Sequence, residues 1–178
     1  MKMEFYSGPS GIEKIPMDQF IGVKIVHALG MTDRQFYGDY KGQPIDASKP
    51  EQKGFMVRYP DGYESWCPLE AFLEANRQTY AMPFGHAIEA AKKGHKIARQ
   101  GWNGKNMFVV YMPPLYLPPF NTQGTERKVN DRTAKWIGED KPLDCQPYFA
   151  MYNAQGQWIP GWVASQSDML SDDWMIVE

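Results

Sequence analysis

The chain has 178 residues, a formal net charge of −2 and a pI near 5.9, so there is no broad electrostatic case for a DNA, RNA or acidic-membrane partner. Hydrophobic residues make up 43% and aromatics 14%, enough to pack a core and to exclude global disorder. Apolar runs such as Met107–Met112 fall far below the roughly 20 residues of a spanning helix, and the two distant cysteines, Cys67 and Cys145, suggest neither a zinc site nor a disulfide framework.

Residues 1–20 show no clear periodicity and no apolar stretch of a secretory signal. The segment 21–29, IGVKIVHAL, is rich in β-branched residues and reads as a strand. The polar, Gly- and Pro-rich segment 38–54 reads as loop. In GFMVRYPDGYESW the PDG turn pairs a strand at 55–59 with one at 63–66. A helix follows at 68–78, where Leu69, Phe72, Leu73 and Ala75 make one apolar face.

A second start signal appears at once, placing a boundary near 79. Phe84, Ala87, Ile88 and Ala91 recur at helical spacing, with Lys92 and Lys93 near the end and Gly94 as a stop. HKIARQ (95–100) and NMFVVYM (106–112) read as strands joined by Asn103-Gly104, a two-residue hairpin signal. PPLYLPP then opens a long loop over 113–146 that includes a short helix within 125–138. A hairpin around Asn153–Gly156, a capped helical turn at 165–173 and a terminal strand in WMIVE complete the chain.

The expected class is α+β, with two small domains at 1–79 and 80–178. Each would carry an antiparallel hairpin-based sheet and one main helix. The connection at 113–146 is long for a compact domain and points to function or an interface.

Catalytic patterns are missing from this sequence. His27, His86 and His95 stand in no metal-ligand spacing, and there is no GxSxG, Walker or GxGxxG motif. Of the acidic cluster Asp168, Asp172 and Asp173, the first reads as a helix cap and the others as solvated. No metal or cofactor is expected.

Binding is better supported. Trp102, Trp136, Trp158, Trp162 and Trp174 stand mostly beside turns, where an indole either stacks on a flat ring or packs a small core. Around Trp102 lie Arg99, Asn103 and Lys105, and around Trp162 lie Ser165, Gln166 and Asp168. Cations pair with phosphates, a helix start offers N–H groups to an anion, and a carboxylate accepts from ribose hydroxyls. These residue types suit a nucleotide-like ligand.

FGHAIEAAKKGHKIAR, GWNGK and GWVASQSDMLSDDW stand in this order over residues 83–178. That series resembles the second type of Thoeris anti-defence protein, a family of small phage proteins. The resemblance implies a non-catalytic protein that sequesters a glycocyclic ADP-ribose signal made by TIR-domain enzymes, with cyclic dinucleotides as a further ligand class. It also implies a homo-oligomer, commonly a tetramer, working in the host bacterial cytoplasm. On this reading Arg99, Trp102, Asn103, Lys105, Trp162, Ser165, Gln166 and Asp168 form the ligand site. The first half resembles a different, uncharacterised phage module through its DGYxSWxP pattern, and the expectation for it is oligomerisation or docking. A structural or adaptor phage protein with no nucleotide ligand, and a signal-degrading phosphodiesterase, are the alternatives.

Overall fold

The computed structural model describes residues 23–178 and, before them, the backbone of two short antiparallel strands, β1 (Glu4–Tyr6) and β2 (Ile15–Met17). The class is α+β. Among the described residues, no helix is long and apolar enough to cross a membrane.

The first half is built on a three-stranded antiparallel meander of β3 (His27–Thr32), β4 (Lys53–Arg58) and β5 (Glu64–Pro68). The PDG segment makes the β4–β5 turn. Gly62 takes a φ of 84° that suits glycine, and Tyr59 N–H donates to the Tyr63 carbonyl at 2.9 Å. Helix α1 (Leu69–Ala75) follows β5 directly and lays Phe72 on Phe55, with ring centroids 4.3 Å apart.

Two expectations shift here. The strand expected at 21–29 begins only at His27 and runs on through Gly30 to Thr32, while Ile21 and Gly22 lie outside the described residues. Long-range packing sets that register. Trp66 Nε1 donates to the Met31 carbonyl at 3.0 Å, and Gly54, opposite Met31, leaves the space its ring occupies. The segment expected as loop from residue 38 is entered by a π-helical turn over Gln35–Tyr40. Phe36 is buried beneath it, and Glu64 accepts from Tyr40, Lys41 and Arg58 to hold it down.

The second half is a five-stranded antiparallel sheet backed by α2 (Phe84–Lys92). Its strands in chain order are β6 (Lys96–Arg99), β7 (Phe108–Met112), β10 (Tyr148–Tyr152), β11 (Trp158–Pro160) and β12 (Trp174–Val177). In space they run β11-β10-β7-β6-β12, so the terminal strand lies beside the first. Helix α2 ends as its sequence predicts, with Gly94 at a φ of 94°. Ala87 and Ala91 are fully buried against Ile97, Val109 and Trp174. Small residues on α2 bring its backbone close to the sheet.

The connection over 113–146 is more ordered than the loop expected there. Strands β8 (Leu115–Leu117) and β9 (Leu143–Cys145) pair and close it at its base. Between them stands α3 (Asp131–Ile137), capped by the Asn130 side chain, which accepts from Thr133 N–H at 2.8 Å. Val129 and Ala134 are buried, which gives this segment a small interior of its own.

A further correction concerns Asn103-Gly104, which is not a two-residue hairpin turn. Strands β6 and β7 pair only at Ile97–Val109, and residues 100–107 form a longer loop. Neither Asn103 nor Gly104 has the positive φ that such a turn requires, and Asn106 takes it instead at 58°. The chain leaves β6 early because Gln100 N–H bonds to the Asp173 carbonyl at 3.1 Å, drawing it towards β12.

Candidate functional site

Helix α4 (Gln166–Met169) is a single capped turn, and its N-terminus organises the site. Ser165 and Asp168 form a reciprocal capping box. The Ser165 hydroxyl accepts from Asp168 N–H at 3.1 Å, and Asp168 Oδ2 accepts from Ser165 N–H at 3.0 Å. That arrangement turns the second carboxylate oxygen inward. Asp168 Oδ1 accepts from Arg99 Nη1 at 2.9 Å and from Trp102 Nε1 at 3.0 Å, while the Asp168 carbonyl accepts from Trp174 Nε1 at 2.8 Å.

Asp168 is the buried charged residue among those described, at 9% exposure, and its bonds explain how the charge is kept there. Burial pushes the carboxyl up, but hydrogen bonds from Ser165, Trp102 and Arg99 outweigh it and hold the group down at about 2, against 3.8 ordinarily. Arg99 is shared with a second carboxylate. Its Nε and Nη2 donate to Asp173 at 2.8 and 3.3 Å, and Gly101 N–H donates to the same side chain at 2.8 Å. Asp173, expected to be solvated, is therefore a partner of Arg99. The bond from Arg99 also holds its carboxyl below the usual range.

Three indoles meet over this network. Trp102 stands edge-to-face with Trp162 at 6.2 Å and with Trp174 at 5.4 Å. Trp174 is fully buried in the core, whereas Trp102 and Trp162 are partly exposed. The glycines of GWNG matter for close approach rather than for turn conformation. A Cβ at Gly101 would stand 2.7 Å from an Asp173 oxygen, and one at Gly104 would overlap the Met107 sulfur and come within 2.8 Å of the Ala154 methyl.

The structure thus brings Arg99, Trp102, Trp162, Ser165 and Asp168 together. Arg99 and Asp168 face each other, so their bonds serve the fold before any ligand. Asn103, Lys105 and Gln166 are exposed around the same loop and helix start. Trp136 and Trp158 lie elsewhere, on α3 and β11. Asp173 and Trp174 were both named from the sequence but not placed in the site, although the DW pair that ends GWVASQSDMLSDDW was their signal.

The profile of the Tad2-like family, described as the Thoeris anti-defense 2-like domain, matches residues 82–177. A curated relative from Bacillus phage SP01, named "Thoeris anti-defense 2", is 34% identical over 96 residues, which cover 54% of this chain and 94% of the relative. The matched span contains the capping box, both carboxylates on Arg99 and the three packed indoles. Through it, the chain belongs to the Thoeris anti-defense 2-like family, and its role is anti-defence.

Proposed function

We propose that the chain binds a cyclic nucleotide signal of the glycocyclic ADP-ribose type and holds it unchanged, so that the defence effector is never activated. The observation that carries this reading is the Trp102–Trp162 pair, pinned through Asp168 within the family-matched span. These two indoles are partly exposed and on this reading stack on a nucleobase, worth about 1–3 kcal/mol per base. Lys105 supplies a cation for phosphate, and Asn103 and Gln166 supply amides for ribose or base edges. Arg99 and Asp168 keep these groups in place and so act on the ligand indirectly.

Cyclic dinucleotides form a second ligand class on this reading, and the chain acts as a homotetramer in the cytoplasm of the host bacterium. Val163 and Leu170, exposed by 85% and 83% beside α4, support contact between copies close to the site. No step of bond breaking belongs to the proposal.

The test mixes the purified protein with cyclic ADP-ribose and cyclic dinucleotide signals and reads affinity and stoichiometry by thermal shift and native mass. Heat denaturation should then release the bound signal intact. Release of a hydrolysed product would replace sequestration with a phosphodiesterase, and no shift with any signal would favour an adaptor.

A further inference from the structure

A groove runs between the three-stranded sheet, α1 and the start of α2. Its larger part, about 600 Å³, is lined by Ala28, Phe55, Phe72, Arg77, Thr79 and Tyr80 among others. It adjoins a part of about 330 Å³ that reaches Lys24, Tyr59, Cys67 and His86. Val26, Phe72, Asn76 and Arg77 line both. These volumes fall within the range of small-molecule sites, which favour junctions between structural units.

The walls have a consistent chemistry. Phe55 and Phe72 stack as the floor, while Tyr59 and Tyr80 add aromatic sides. The cations are Lys24, whose Nζ stands 5.7 Å from the Tyr59 ring centroid, and Arg77, whose Nη1 is anchored on the Leu73 and Asn76 carbonyls. His86 lines the groove from α2. Among the described residues that line either part there is no aspartate or glutamate, although the chain as a whole carries a net −2. Lys93 Nζ donates to the Val23 carbonyl at 2.7 Å, fastening one wall of the groove to the family domain. The matched relative uses 94% of its length on the family domain, so it has no room for the walls contributed by residues 23–81.

We infer that the junction of the N-terminal unit with the family domain is a second binding groove, for a small organic anion that carries a flat ring. The ring lies against Phe72 and the two tyrosines, and the anionic group faces Lys24 and Arg77. This site is separate from the one around Trp102 and does not depend on the signal proposed to bind there.

The test is a fluorescence titration of the full chain with anilinonaphthalene sulfonate, displaced in turn by naphthoate, by decanoate and by neutral naphthol. Saturable binding is expected, with naphthoate the best competitor. Ala28→Trp and Thr79→Trp each place an indole in the groove, and Arg77→Gln removes a cation. Each should weaken dye binding by about tenfold while melting as the parent chain does. Lys105→Ala, in the other site, should leave dye affinity as it was. Displacement by decanoate as good as by naphthoate would overturn the flat ring, and displacement by naphthol as good would overturn the anion. Absent dye binding, or binding that all three groove variants retain, would overturn the groove itself. None of these results touches signal binding at Trp102, so the two proposals fail separately.

Discussion

Every carboxylate oxygen of Asp168 is occupied by a donor from its own chain, which makes this residue a brace for the indoles. Asp168→Ala should therefore destabilise the protein by about 2–4 kcal/mol, since it leaves Trp102 Nε1 and Ser165 without their acceptor and takes one of two carboxylates from Arg99. Asp173→Ala should cost less, because Asp173 is more exposed and Arg99 keeps its bond to Asp168. Chemical denaturation of both variants checks the order, and equal losses would remove Asp168 from the centre of the network. The pH dependence has a fixed sign. The folded carboxyl is held at about 2, below the 3.8 of an unperturbed aspartate. Its stabilisation is complete above the unfolded value and is lost as pH falls from about 4 towards 2. Asp168→Asn should flatten that acid limb in a denaturation series. At Trp102, Phe substitution keeps most of the packing and deletes the N–H to Asp168, so a loss of about 1–2 kcal/mol is expected. Signal binding should persist in Trp102→Phe if the ring face stacks on the ligand, and isothermal titration reads that directly.

Among the elements, the loop over 100–107 tests why GWNG carries two glycines. Gly104 packs under Met107 and Ala154 with no positive φ, so Gly104→Ala should displace Met107 and destabilise by about 1–3 kcal/mol. An unchanged melting temperature would refute the close-packing account. This loop also marks where sequence reading stops. Local signals located α2, the β4–β5 turn, the capped turn at Ser165 and the terminal strand, because capping residues and PDG act within a few residues. Asn103-Gly104 failed as a turn because Asp173, distant in sequence, holds Gln100 and Gly101 and redirects the chain. Likewise β3 is registered by Trp66 on Met31, and the 113–146 segment is closed by a β8–β9 pairing with 25 residues between its strands (118–142). The site's residue types were visible, but their mutual pairing was not. Arg99 and Asp168 looked like ligand groups because their partners come from opposite ends of the domain.

At the scale of the whole molecule, the family domain is tied to the segment just before it. Met82 and Trp174 exchange backbone hydrogen bonds of 2.8 and 3.1 Å, and Ile176 N–H donates to the Thr79 carbonyl at 2.8 Å. Residues 79–82 therefore line the outer edge of β12, and the Met82 side chain is buried in the main core. A chain cut to begin at Thr79 keeps these bonds and should fold and bind signal as the full protein does. A chain cut to begin at Pro83 lacks them. Loss of the Met82 side chain alone costs about 2–5 kcal/mol, and an unpaired β12 edge adds to that. For a domain of this size each kcal/mol lowers the melting temperature by roughly 4–8 °C, so the shorter piece should melt at least about 10 °C below the longer one. Calorimetry of the two pieces decides it. Equal melting temperatures would mean that the domain needs nothing before Pro83 and that residues 79–81 serve the groove alone. Signal binding retained by the longer piece, with the dye site lost, would assign the two sites to the two halves of the chain.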